Sequence, residues 1–207
     1  MKLLLHVENS AVDVIGNPVN NSGVTFSGPA ARFGSYGAVF NGNAYLSVGA
    51  SGVFAIGLSD FTVEAWVQSN TNAADTYYRR IFMTDGPTGN AAGNFQIAIV
   101  PSTGRVNLWD GATLDLIGTS NVTDGLWHHV AATRQQGTLR LFVDGALQGS
   151  IAYNVSITPV ASPRPWIGAY TASWGRFVGN MDDVRVTVGV ARYTAAFTPP
   201  SAQFPDH

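Results

Sequence analysis

Three stretches near the C-terminus decide the fold: Asp124-Gly-Leu-Trp-His-His-Val-Ala-Ala-Thr-Arg134, Thr138-Leu-Arg-Leu-Phe-Val-Asp-Gly145 and Gly179-Asn-Met-Asp-Asp-Val-Arg-Val-Thr-Val-Gly-Val-Ala-Arg-Tyr193. The first two read as strands of alternating or continuous apolar character. The second ends in Asp144-Gly145, a pair that tolerates positive φ at both central positions of a turn, so it closes a two-residue hairpin. Working outward, further strand signals fall at Leu3–Val7, Val24–Phe26, Ala38–Phe40, Tyr45–Val48, Phe61–Gln68, Arg80–Thr84, Asn94–Val100, Arg105–Trp109, Leu116–Thr119, Gln148–Ile151 and Trp166–Ala169. Gly, Asn, Asp or Pro separates them. Short strands at this spacing predict an all-β, antiparallel two-sheet jelly-roll sandwich. One short helical candidate remains, Val190–Ala196, and Pro199-Pro200 stops anything beyond it.

The composition bounds function. The 207 residues suffice for one large domain, 1–207, with 198–207 an extended tail. Charged residues are 12% of the chain, the net charge is −2, and Lys2 is the lone lysine among 11 cations. Phosphate neutralisation needs clustered Lys and Arg, and the nearest approach here is Arg79-Arg80, so nucleic acid is disfavoured as a partner. There are no cysteines, which excludes disulfides, thiolate metal sites and cysteine nucleophiles. The apolar run after Met1 is too short for a secretion signal, and no run approaches a membrane span. The expectation is synthesis in the cytoplasm without a signal peptide, as a complete small gene product.

Together with Phe61-Thr-Val-Glu-Ala-Trp-Val67, the opening blocks resemble the laminin G-like branch of the concanavalin A-like jelly rolls. The likeness is nearest to versions common in phage and bacterial surface proteins, which end in a run similar to Asp182–Pro200. It implies that the first strand lies beside Asp182–Val188, joining the two ends of the chain. It also implies a recognition or assembly module on a virion or extracellular surface, part of a larger assembly, with glycan or virion structural proteins as partners. A carbohydrate-binding module of a bacterial secreted protein is the alternative.

Glucan-hydrolysing relatives need two carboxylates flanking the scissile bond. Residues two apart on a strand share a face, but two and four places after Glu64 stand Trp66 and Gln68. Glu64 therefore reads as structural, and no catalytic residue is expected. Asp182-Asp183 and His128-His129 are adjacent pairs whose members should face opposite sides of a strand. Of the histidines, one is expected buried and hydrogen-bonded and the other exposed. Relatives hold a structural Ca2+ on one side of the sandwich, bound by an early acid, a backbone carbonyl and a late aspartate, and the matching positions here are Glu8, the carbonyl at Asn41 and Asp182. The other reading of Asp182 and Asp183 is pairing with Arg185 or capping of a turn.

Sugar sites in jelly rolls use aromatic rings as platforms, with amides and carboxylates for the hydroxyls. Two loop clusters fit: Tyr170-Thr-Ala-Ser-Trp174-Gly-Arg176 and Asp75-Thr-Tyr77-Tyr78-Arg79, with Trp109-Asp110 at a hairpin end able to join them. The expected binding residues are thus Tyr77, Tyr78, Arg79, Trp109, Tyr170, Trp174 and Arg176. Contact with a neighbouring subunit, or plain packing, are the competing readings of Trp174. Trp66, Trp127 and Trp166 sit inside strand patterns and are expected in the core.

Overall fold

The computed structural model describes residues 1–49, 54–70, 77–84, 93–158, 165–171 and 174–206. Two antiparallel sheets form the sandwich. The eight-stranded sheet runs in the order β13 (Ala146–Ala152), β12 (Thr138–Val143), β11 (Trp127–Gln135), β6 (Phe61–Gln68), β15 (Val178–Val188), β4 (Gly37–Asn41) and β3 (Thr25–Ser27), with β1 (Leu3–Leu5) also paired to β15. The seven-stranded sheet runs β10 (Asp115–Asn121), β9 (Arg105–Trp109), β8 (Gln96–Ile99), β7 (Arg79–Met83), β14 (Trp166–Ile167), β5 (Tyr45–Val48) and β2 (Val19–Ser22). The expected all-β jelly roll is therefore the fold. Leu3 lies opposite Val186, so the two ends of the chain meet in one sheet. The Asp144-Gly145 hairpin has φ of 50° and 75°, as its sequence demands. A side chain at Gly145 would also run into the carbonyl of Phe197, which crosses there.

Strand alternation sorts the residues between faces. On β6, Phe61, Val63, Ala65 and Val67 join the core between the sheets, where they meet Ile97, Ile99, Val106 and Leu108 of the facing sheet. The even positions of β6 face outward, yet Thr62, Glu64 and Trp66 are all buried. The C-terminal segment roofs them. Phe204 packs against Leu4 and Trp66, and the Arg185 guanidinium lies 3.9 Å from the Phe204 ring centre. Phe197 stacks on Tyr193 with ring centres 3.6 Å apart.

Beneath this roof Glu64 is the hub. Its Oε1 accepts from Arg185 Nε at 2.9 Å and lies 2.7 Å from Nη2. Its Oε2 accepts from Tyr193 Oη at 2.8 Å and pairs with His129 Nε2 at 3.1 Å. Burial alone would push the Glu64 carboxyl up, but His129, Arg185 and Tyr193 outweigh it and hold the group below its ordinary value.

The structure corrects several expectations. Val190–Ala196 forms no helix, because the sheet beneath takes its backbone groups: Thr62 Oγ1 donates to the Val190 carbonyl and accepts from the Arg192 amide, and Thr133 Oγ1 donates to the Tyr193 carbonyl. β2, Val-Asn-Asn-Ser, has no apolar alternation and was not among the expected strands. Trp127 is only half-buried, and Trp66 and Trp166, though buried, lie on outer faces rather than between the sheets. Both histidines are buried: His128 is clamped between Asp144 (2.7 Å) and Asp124 (2.9 Å) while His129 reaches Glu64. Asp182 and Asp183 share the outer side instead of opposing each other, because a bulge with Asp183 at φ 48° adds a residue to β15 between the partners of Trp66 and Glu64.

Two outcomes follow from these networks. Glu64→Gln removes the charge that neutralises buried Arg185 and should cost about 3–5 kcal/mol of stability in denaturant unfolding; a loss below about 1 kcal/mol would sink the hub assignment. The bond to Asp144 raises His128 above its ordinary 6.5, against the opposing effect of burial and with help from Asp124. The two aspartates are lowered from their ordinary 3.8. The clamp's contribution is present below the histidine's unfolded value, is lost as pH rises through the raised folded value, and is lost again as the aspartates protonate. The stability gap between wild type and His128→Asn should therefore be widest between the two ordinary values, 3.8 and 6.5, and close toward alkaline pH. A gap that stays constant from acid to alkaline pH counts against it.

Candidate functional site

Among the described residues no such roof covers β7–β10 of the seven-stranded sheet, and its outer face forms a pocket of about 410 Å³. Alternation places its floor. On β8 the residues Ile97 and Ile99 enter the core, so Gln96 and Ala98 face out. On β9 Val106 and Leu108 enter the core, so Asn107 and Trp109 face out. The register sets these in two rows: Arg80 opposite Ala98 and Ala98 opposite Asn107, then Gln96 opposite Trp109 and Trp109 opposite Asp115. Ala98, the smallest of them, leaves the depression.

Loop aromatics build the walls. Tyr77, Tyr78, Tyr170 and Trp174 line the pocket with Trp109. The Tyr77 and Trp174 rings stack at 5.4 Å, tilted by 9°, while remaining 46% and 54% exposed. The turn that presents Trp174 is tightly held: the Tyr170 and Thr171 amides donate to the Trp174 carbonyl, and the Trp174 amide donates to Thr171 Oγ1. Gly175 follows at φ 63°, where a Cβ would come within 2.7 Å of Tyr170 Cβ.

The two aromatic clusters expected from the sequence thus meet, and Trp109 joins them. Arg79 does not contribute. It is buried in β7 rather than in a loop, and its neighbour Arg80 has the outward position. Arg176 is not part of the lining, and its Nη1 donates to Asn43 Oδ1 at 3.0 Å. Asp75, Thr76, Ala172 and Ser173, named with these clusters, lie outside the described residues. Arg80, Gln96, Asn107 and Asp115 were missed. A two-residue step on from Tyr78 to Arg80, or back from Trp109 to Asn107, would have found two of them.

The polar groups are interlinked. Arg80 Nε donates to Gln96 Oε1 at 2.8 Å, and Nη1 donates to the Tyr78 carbonyl. Asn107 Nδ2 donates to Asp115 Oδ1 at 2.7 Å. Burial draws the Arg80 guanidinium down to about 10. Asp110 works from below: its Oδ1 accepts the amides of Ala112, Thr113 and Leu114 and fixes the β9–β10 turn beside Trp109.

The expected calcium ligands have other duties. Asp182 Oδ2 accepts the Arg32 and Phe33 amides, and its Oδ1 accepts the Asp183 amide. Glu8 accepts the Ser35 and Tyr36 amides and Gln203 Nε2. Asn41, expected to offer its backbone carbonyl, lies opposite Val178 in the β4–β15 ladder, and its side-chain Oδ1 accepts the Asn43 amide. Calcium needs converging oxygens left free for the ion, whereas the carboxylate oxygens of Asp182 and Glu8 are taken up by backbone amides of residues 32–36, a donor set that does not fit the ion as it stands. Burial pushes Asp182 up to about 6 despite those amides, and Asp183 adds to the rise.

The sequence profile of the concanavalin A-like lectin/glucanases superfamily (Laminin_G_3) matches residues 40–190. No curated protein matches the chain. Among solved structures, domain 4 of AbnA, a GH43 extracellular arabinanase from Geobacillus stearothermophilus solved in complex with arabinotriose, has a TM-score of 0.70 at 17% identity, over 92% of this chain and 93% of that one. The binding domain of Paraclostridial Mosquitocidal Protein 1 has a TM-score of 0.68 at 15% identity, over 95% of this chain and 49% of that one. The binding domain of botulinum neurotoxin DC, solved in complex with SialylT, has 0.63 at 11%, over 99% and 48%. The chain spans about half the length of these two toxin domains, and at such identities the likeness is one of fold. With the profile running from β4 to the residues just beyond β15, over most of both sheets, the chain belongs to the concanavalin A-like lectin/glucanases superfamily.

Proposed function

We propose that the protein is a non-catalytic glycan-binding module and that the pocket on the outer face of its seven-stranded sheet is the binding surface. One observation carries the reading: five aromatic side chains from three segments, Tyr77 and Tyr78, Trp109, and Tyr170 and Trp174, wall a pocket floored by amides, one cation and one carboxylate. Rings take the apolar faces of sugar rings, and the polar floor takes hydroxyls. Aromatics held against a rigid sheet do this at low entropic cost. The arabinotriose-bound arabinanase domain and the toxin binding domains, which share the fold, support the reading.

The non-catalytic part rests on carboxylates. Glycosidic hydrolysis takes a pair. Among the described lining residues only Asp115 is acidic, and Glu64 is buried under the roof of the opposite sheet. The proposal also seats the module on a phage particle or cell surface, a reading supported by the resemblance of the run Asp182–Pro200 to surface proteins of that kind. Docking on a protein partner through the exposed Trp174 and Tyr77 is the second reading, since such rings also make hot spots.

Trp174→Ala separates these. With Trp174 half exposed, the melting temperature should stay nearly unchanged. Affinity for the best ligand of a glycan array should fall by about 1–3 kcal/mol in titration calorimetry. Unchanged glycan affinity with weakened assembly would favour the protein-docking reading. A large drop in melting temperature with both functions intact would make Trp174 a packing residue.

A further inference from the structure

Arg80 is the unusual group of the pocket. It is a half-buried cation whose Cζ lies 4.8 Å from the Tyr170 ring centre, 5.7 Å from Tyr78 and 5.9 Å from Trp109. No carboxylate among the described residues reaches it: every ion pair there involves another cation, and Asp115, the one acid on the lining, is bonded to Asn107 instead. Its Nε and Nη1 are occupied by Gln96 and Tyr78, and its Nη2 makes no hydrogen bond within the described residues. A cation removed from water without a counter-charge is costly unless something else supplies one.

Gln96 points the same way. The residue is fully buried, yet its Nε2 has no hydrogen-bond partner. The orientation of this amide is not arbitrary. Arg80 Nε can only donate, so the atom facing it must be the oxygen, and the NH2 end is left at the floor beside the guanidinium. Natural folds rarely leave such a buried donor unmet. Two unsatisfied donors, one of them charged, therefore sit together under aromatic walls. What satisfies both is an acceptor carrying negative charge, and a planar carboxylate matches a guanidinium edge and an amide NH2.

We propose that Arg80 and Gln96 form a carboxylate subsite, and that the pocket selects acidic saccharides, with the carboxylate of a uronic or sialic acid on Arg80 Nη2 and Gln96 Nε2 and its sugar ring against Trp109 and Trp174. The proposal rests on the glycan-binding reading and narrows it. A neutral sugar at the same place would bury the cation further and leave it without a partner. The lowered proton affinity of Arg80 still keeps it charged at neutral pH, as the subsite requires.

Matched ligand pairs test this without relying on a variant that must fold. Titration calorimetry would compare oligogalacturonate with its methyl ester, and sialyllactose with lactose. In at least one pair the acid should bind the wild type roughly tenfold tighter or more, with the advantage shrinking as salt rises. Arg80→Gln, checked for an unchanged melting temperature, should remove that advantage, so that the acid and the neutral member of the pair bind the variant within about twofold of each other. Equal binding of acid and neutral partner, or preference for the neutral one, overturns the carboxylate subsite and leaves glycan binding standing. An acid preference that survives in Arg80→Gln overturns it too. Failure of every pair and of a broad glycan array removes the glycan reading itself, and the subsite with it.

Discussion

An extended chain shows alternate side chains to opposite faces, and each sheet of a sandwich must commit one face to the shared core. What distinguishes the two sheets here is the fate of the other face. On the eight-stranded sheet that face carries Glu64, Trp66, His129 and Arg185, and residues 193–204 close over it with Tyr193, Phe197 and Phe204. On the seven-stranded sheet it carries Arg80, Gln96, Asn107 and Trp109, which among the described residues are walled by loop aromatics rather than roofed by a chain terminus. The same alternation thus makes a buried polar layer on one side and a pocket on the other. The layer holds its charges in compensated pairs, whereas the pocket holds a cation that is not compensated.

The carboxylates of the roofed side act as clasps. Asp182 and Glu8 grip successive amides of the segment between β3 and β4, Arg32–Phe33 and Ser35–Tyr36. Asp183 holds the Phe204 amide and pairs with His6, which also reaches Asp206. The bulge at Asp183 makes this possible, since it turns two consecutive acids to one side of β15. Their adjacency in sequence therefore misleads: regular alternation says they diverge, and only a bulge makes them serve one surface.

Much of the fold was legible because its signals are local. Tyr45–Val48, Phe61–Gln68, Arg105–Trp109 and Thr138–Val143 are strands with the bounds their patterns indicated. The places where sequence reading failed are those decided by distant partners. β2 is a strand because β5 offers it a ladder, not because Val-Asn-Asn-Ser favours one. Val190–Ala196 has helical composition, but Thr62 and Thr133 claim its backbone. The aromatic wall was legible as clusters of rings in loops. The floor was not, because Gln96, Asn107 and Asp115 are ordinary polar residues until register sets them side by side, and because only the structure tells which of Arg79 and Arg80 faces out.

Two small residues explain why the pocket is both open and firm. Ala98 sits in register between Arg80 and Asn107, and a larger side chain there would fill the floor. Gly175 lets the turn that carries Trp174 lie directly on β7: its carbonyl accepts the Arg80 amide at 3.0 Å, and a Cβ would meet the Tyr78 carbonyl at 3.0 Å. The aromatic wall and the cation are thereby tied to the same residue of the same strand. Ordering that a loop site would undergo on binding is already done when this chain folds, so less of the contact energy is lost to entropy. On the proposed glycan-binding reading, a site with few polar contacts gains the most from that arrangement, since its donors are already held in place by the fold.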